Sequence, residues 1–207
     1  MMTLYTADTG NGHRASIMLE EAGLPYDVVA IDFAAGEHRG EALLAVNPMG
    51  QIPALVDPDG FGGEPLHLGE SAAILRHLAR KSGKLLPEGG AEECEADRWT
   101  AILAGGLQSA PTTIFFARLS GLGDDAGIIA KQFEVIGRYL AIMEARLAAS
   151  AYLAGARMTY VDILGFTLVN GSLPRFGVDL GAYPAILAWR DGIAARPAVQ
   201  RGLAVPG

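Results

Sequence analysis

The hydrophobic positions of this chain change period partway along it. In the first eighty or so residues short apolar runs alternate with amphipathic ones. "TLYT" reads as a strand, Arg14 to Gly23 as a helix with a glycine stop, and "YDVVAIDF" as a second strand. Together they predict a β-α-β unit. "GEALLAVNP" predicts a short helix ended at Asn47–Pro48, "IPALVD" a third strand and "PLHLG" a fourth, with the turn residues of "DPDGFGGE" closing a hairpin between them. A helical period returns from Glu70, with Ala73, Ile74, Leu75 and Leu78 as its expected buried stripe.

The Gly/Pro-rich stretch "SGKLLPEGG", Ser82 to Gly90, breaks the pattern and fits an interdomain linker. After it only helical periods remain. Ile129, Phe133, Ile136, Leu140, Met143 and Leu147 are spaced by four and three, which predicts one long amphipathic helix. Thr159-x-x-Asp162 has the form of a capping box, with Asp in place of Glu, ahead of a strongly apolar helix. The last predicted helix is "PAILAWRDGIAAR", stopped by Pro197. The expected architecture is an α/β domain over residues 1–81, a linker over 82–90 and an all-α domain over 91–207.

Composition narrows the function. The 207 residues are 50% hydrophobic and 19% charged, a globular balance, and the formal net charge is −7. A phosphate-tracking surface needs a basic stripe, so a nucleic-acid partner is not expected. The absence of a long apolar run or a leader-like opening gives the expectation of a cytoplasmic protein with no membrane association. One cysteine, Cys94, forms no intrachain disulfide, and the four histidines, His13, His38, His67 and His77, show no metal-ligand spacing. No bound metal is expected, and any thiol chemistry would arrive with a ligand.

Three stretches carry candidate chemistry, each with a structural alternative. In "ADTGNGHR", Thr9 and Asn11 flank a glycine at the start of the first helix. They either cap it or donate hydrogen bonds to a ligand thiolate. Asparagine is neither base nor nucleophile, so its chemical use would be to stabilise charge. In "NPMGQIPALVD", Pro53 is either a turn device at a strand entrance or a cis proline that turns the backbone of Ile52 outward to pair with an extended ligand. In "LGESAAIL", Glu70 and Ser71 either start a helix or receive an amino-acid zwitterion, with Ser71 and the free N–H groups on its carboxylate and Glu70 on its ammonium. His38, in the polar loop "AAGEHRG", could reach a ligand carboxylate. His13 is not assigned to chemistry, Tyr5 is expected in the core, and Cys94 lies in the acidic run "EECEAD", an environment that disfavours a thiolate.

In this order the pieces resemble the glutathione transferase family. "LYTADTGNGHR…LEEAGLPYDVV", "NPMGQIPALVD" and "LGESAAILRHLA" are similar to its thioredoxin-like domain, and "YLAGARMTYVDI" and "YPAILAWRDGIAARPAV" to its helical domain. The resemblance implies glutathione, reduced or as the disulfide, as cosubstrate. It places Ile52 and Pro53 at the cysteinyl part, Glu70 and Ser71 at the γ-glutamyl end, and His38 and Gln51 near the glycine end. It sets Asp97 loosely against a partner subunit's ligand, and it implies a homodimer. The opening stretch holds Asn11 where many bacterial relatives carry cysteine and other classes use a nearby tyrosine or serine. There "TGNGHR" resembles the Nu class and its fungal prion-related cousins, which act mainly on disulfides and peroxides. That implies a disulfide reductase and peroxidase in which bound glutathione supplies the nucleophile, with Thr9 and Asn11 as its donors. Two alternatives stay open: conjugation to hydrophobic electrophiles, with "APTTIFFARL" lining the second subsite, and a non-catalytic ligand-binding or interaction module.

Overall fold

In a computed structural model, which describes residues 1–121 and 126–207, the chain forms two compact units, one of 1–86 with 194–207 and one of 87–193. The first holds a four-stranded mixed sheet in the order β2-β1-β3-β4, built from β1 (Met2–Thr6), β2 (Tyr26–Ala30), β3 (Ala54–Asp57) and β4 (Leu66–Leu68). β1 and β2 run parallel, joined by the helix α1 (Gly10–Ala22), so the expected β-α-β unit forms. β3 lies antiparallel to β1, with Tyr5 opposite Ala54, and β4 antiparallel to β3, with Leu55 opposite Leu68. This register has one consequence for function. The C-terminal end of β1, the N-terminal end of β3 and the C-terminal end of β4 all meet at the same edge of the sheet.

α1 stops at Gly23, whose left-handed backbone (φ 68°) caps it. A short helix, α2 (Glu41–Leu44), precedes β3, and α3 (Ser71–Ser82) follows β4. Ile74, Leu75 and Leu78 are fully buried as the helical period requires. Ala73 is exposed instead, because its position falls one step off that face. Tyr5 packs against the cluster of Ala7, Ile31, Leu43, Val46, Ile52 and Ala54, which is its expected core role.

Asp57, at the end of β3, is buried and meets His77 Nε2 at 2.8 Å and Lys81 Nζ at 3.0 Å, both on α3. Burial works against its ionised form, but these hydrogen bonds outweigh it and hold the carboxyl below the usual aspartate range.

The second unit is helical, with no strand among its described residues. α4 (Gly90–Thr100) continues through a π-helical stretch, Ala101–Leu107, into α5 (Ser109–Leu119). A side chain at Gly106 would overlap the ring of Tyr139. α6 (Ala126–Ala149) is the expected long helix, with Ile136, Leu140 and Met143 buried and Ile129, Phe133 and Leu147 at the margin. α7 (Tyr160–Thr167) is buried along its whole length and starts at the expected capping box.

Asp162 is fully buried there. It accepts from the N–H groups of Leu153 (2.9 Å) and Thr159 (2.8 Å) and from Trp189 Nε1 (3.1 Å). No cation faces it through these bonds, and burial raises its pKa to about 6 against the pull of its donors. A three-residue helix, α8 (Leu173–Arg175), precedes α9 (Pro184–Ala194), whose first N–H groups, on Ala185 and Ile186, donate to the Glu144 carboxylate at 2.9 Å each.

Pro197 does not end the helical part of the chain. It opens α10 (Pro197–Leu203), since proline at a first helical position has no N–H to waste. α10 lies against α1. Gly202 sits so close to the Ile17 backbone that any side chain would overlap it, and Ser16 Oγ donates to the Gly202 carbonyl at 2.7 Å. Arg196 forks onto Glu21 (2.6 and 2.8 Å), and Arg201 meets Glu20 at 2.6 Å.

Among the described residues no helix is long and apolar enough to cross a membrane.

Candidate functional site

Thr9 and Asn11 follow β1, Ile52 and Pro53 precede β3, and Glu70 and Ser71 follow β4, so the shared sheet edge gathers all six within the first unit. α1 begins at Gly10, which makes Thr9 its N-cap. The Thr9 hydroxyl oxygen accepts from the Gly12 N–H at 3.0 Å. That use leaves the hydroxyl proton able to donate, so capping and ligand binding are compatible.

The turn is tight. A side chain at Gly12 would overlap the Ala7 carbonyl oxygen and the Thr6 hydroxyl. Asn11 projects from the first turn with its side-chain carbonyl oxygen buried and without a hydrogen-bond partner. That oxygen is an acceptor, so only a donor could complete it; the group of Asn11 that can donate to an anion is its side-chain NH2. The first turn of α1 contains no acidic residue.

The Ile52–Pro53 peptide bond is cis, with both residues buried. Asn47 shapes this entrance. Its side-chain amide donates to the Gln51 carbonyl at 2.8 Å, and its oxygen accepts from the Met49 N–H at 3.2 Å. Gly69 packs against the same side chain, which ties the Gln51–Pro53 loop to the one before α3.

Glu70 is exposed and adopts φ 61°, ψ 108°, a conformation that costs a non-glycine residue about 1–3 kcal/mol. It is the N-cap of α3 yet makes no side-chain cap bond, and the first turn of α3 holds no acid either. Ser71 receives a hydrogen bond from Arg14 Nη1 at 3.0 Å. The edge therefore presents two helix N-termini whose first turns hold no acid, which favours an anion, with the exposed Glu70 carboxylate beside the second to meet a cation.

His38 sits in a 3-10 turn, Glu37–Arg39, with its ring 5.2 Å from Phe33 and its Nδ1 buried without a hydrogen-bond partner. Its backbone carbonyl packs against Gly50, next to the exposed Gln51. Asp97 lies in the second unit, exposed on α4, where it accepts from the Tyr160 hydroxyl at 3.5 Å. His13 pairs with Asp8 at 3.4 Å, and Cys94 is exposed on α4. Two side chains that organise the edge, Arg14 and Asn47, carried no sequence signal of that role. Their partners lie 57 residues away in one case and in backbone geometry in the other.

A thioredoxin-like sheet followed by a helical unit, with a cis proline at one sheet edge, defines the fold class of this chain. The chain belongs to the glutathione S-transferase family: the family's N-terminal domain matches residues 11–81 and its C-terminal domain residues 113–197. It is 37% identical to glutathione S-transferase 1 of Zea mays, over 97% of this chain and 94% of the relative. It is 34% identical to the disulfide-bond oxidoreductase YfcG of Escherichia coli (strain K12), over 98% and 94%. A solved glutathione transferase family member from Pseudomonas fluorescens pf-5, with two glutathione bound, superimposes with a TM-score of 0.93 at 33% identity, covering 99% of this chain and 93% of that one.

Proposed function

We propose that this protein is a glutathione-dependent disulfide reductase with peroxidase activity, of the Nu type, in which the thiolate of bound glutathione is the nucleophile. The observation that carries the reading is the Thr9–Asn11 turn. It holds hydrogen-bond donors at the N-terminus of α1 and no cysteine, serine or tyrosine of its own.

A free thiol titrates near ~8.5, so a thiolate populated at neutral pH needs donors and a positive field, and this turn supplies both. The roles then follow along the edge. Ile52, held outward by the cis bond to Pro53, pairs with the cysteinyl backbone. Ser71 and the N-terminus of α3 take the γ-glutamyl carboxylate, and Glu70 its ammonium. His38 and Gln51 reach the glycine end.

In the first step the glutathione sulfur attacks one sulfur of a disulfide. The S–S bond breaks as the new one forms, and the leaving sulfur departs as a thiolate that takes up a proton from water. The donors that hold the attacking thiolate also suit a leaving one, so a site for two glutathione units follows. The solved relative with two glutathione bound supports this, as does the similarity to a disulfide-bond oxidoreductase.

The reading assigns residues 1–81 to glutathione and gives the helical part of 91–207, apart from the 194–207 segment that packs with the first unit, to the second substrate, in a cytoplasmic homodimer. The shallow pocket lined by Phe61, Leu68, Arg76, His77 and Arg80 is the surface it assigns to the second copy, with Asp97 directed at the partner's ligand. Sedimentation velocity at micromolar concentration checks the dimer.

The test of function is calorimetric titration with reduced glutathione and, in parallel, with glutathione disulfide. Tighter binding of the disulfide, with turnover of a small disulfide, is the expected result. Binding of the reduced form alone, with conjugation of hydrophobic electrophiles, would replace this reading with the transferase one. The exposed Phe115 and Phe116 on α5 are the apolar surface that the transferase reading would use.

A further inference from the structure

Arg14 is a costly residue to bury, since removing a guanidinium from water is paid back only by well-placed partners. It lies in the second turn of α1 and is 2% exposed, and its Nη1 donates to Ser71 Oγ across 57 residues of sequence. Burial draws its pKa down to about 9, which leaves it protonated at neutral pH.

A serine hydroxyl has one proton and two acceptor lone pairs. With one lone pair committed to the guanidinium, the hydroxyl proton of Ser71 stays available to donate. The same position receives the positive end of α3, whose N-cap Glu70 contributes no side-chain bond. Arginine suits this better than lysine because its planar fork fixes the direction of each donor.

This inference rests on the reading that the N-terminus of α3 receives the γ-glutamyl carboxylate of glutathione. We infer that Arg14 is a positioning residue for that carboxylate: through its hydrogen bond it fixes Ser71 as a donor. It does so without touching the ligand, being itself buried beneath Ser71.

The test is a double-substitution cycle on the full chain. Arg14→Met and Ser71→Ala should each raise the KM for glutathione about ten-fold and leave kcat within two-fold, because Thr9 and Asn11 are untouched. The double variant should exceed the larger single effect by no more than about two-fold, since both changes remove one donor. A double variant whose KM equals the product of the two single effects overturns the inference. So does a fall of kcat in step with the rise of KM, which would mean that α1 itself had shifted. If Arg14→Met does not fold, judged by its urea transition, Arg14→Leu carries the same cycle, and Arg14→Gln, which keeps a donor, should hold the KM within about two-fold of wild type; a rise of about ten-fold in Arg14→Gln overturns the inference.

Calorimetry separates this inference from the reading beneath it. Wild-type protein that binds no glutathione overturns both, whereas wild type and Arg14→Met that bind it equally overturn the role of Arg14 alone.

Discussion

Two pairs of helix N-termini, one pair in each unit, are treated in opposite ways. In the second unit α7 and α9 both start against a carboxylate of the protein's own, Asp162 and Glu144, which accept the N–H groups that a helix leaves unpaired. In the first unit α1 and α3 start with Thr9 and Glu70 and have no acid in the first turn; Thr9 satisfies one N–H of α1, and the Glu70 side chain makes no cap bond. Thr9 and Thr159 are both N-cap threonines, but three residues on stands Gly12 in one case and Asp162 in the other. A filled terminus anchors a fold, and an open one receives a ligand's anion.

The largest effect expected from breaking this contrast is on stability. Asp162→Ala strands the N–H groups of Leu153, Thr159 and Trp189 in a fully buried place. It should cost roughly 3–5 kcal/mol in urea unfolding, at about 1–3 kcal/mol for each buried donor left without an acceptor.

The pH dependence sharpens the comparison between buried carboxylates. Asp162, with a folded-state pKa of about 6 against an ordinary 3.8, binds its proton more tightly folded than unfolded. Its contribution to stability is therefore greatest at the acid end and declines as pH rises from about 4 to about 6, by on the order of 3 kcal/mol. Asp57, lowered by His77 and Lys81 against the cost of burial, has the opposite sign. Its contribution is present above the ordinary aspartate pKa and is lost as pH falls through its lower folded value. Unfolding curves from pH 3 to 7 for Asp162→Asn and Asp57→Asn, each subtracted from wild type, should slope in opposite directions.

A smaller effect comes from closing the open terminus. Asn11→Asp places a carboxylate at the start of α1, so the protein then carries the charge that the ligand is to bring. Disulfide-reductase turnover should fall at least ten-fold, about 1.4 kcal/mol, with the far-UV spectrum unchanged. Glu144→Ala opens a filled terminus, and its expected cost is about 1 kcal/mol, with glutathione binding unaffected.

What the sequence revealed follows the range of each interaction. The capping box at Thr159 and Asp162 lies within one helical turn and is readable from residue types alone. The strands and α6 are readable because their periods repeat. Pro197 misled because a proline that ends one helix is also a favoured first residue of the next, and only the packing of Gly202 onto Ile17 shows which applies. Ala73 fell off its expected face because helical periods locate a stripe to about one residue. Arg14 and Asn47 were invisible as organisers of the site, since one acts on a side chain brought close by the fold and the other on a loop carbonyl. The cis form of Ile52–Pro53 was likewise a matter of tertiary context, because an X–Pro bond differs little in energy between isomers.

The central claim is that the ligand brings the nucleophile and that Thr9 and Asn11 ionise it. The direct measurement is ultraviolet difference titration of bound glutathione, following the thiolate band from pH 5 to 9 in wild type and in Asn11→Ala. The account predicts a thiol pKa in the wild-type complex at least one unit below the ~8.5 of a free thiol, and its return toward that value in the variant. A wild-type complex with no thiolate at neutral pH, or a variant with an unchanged titration, would contradict it.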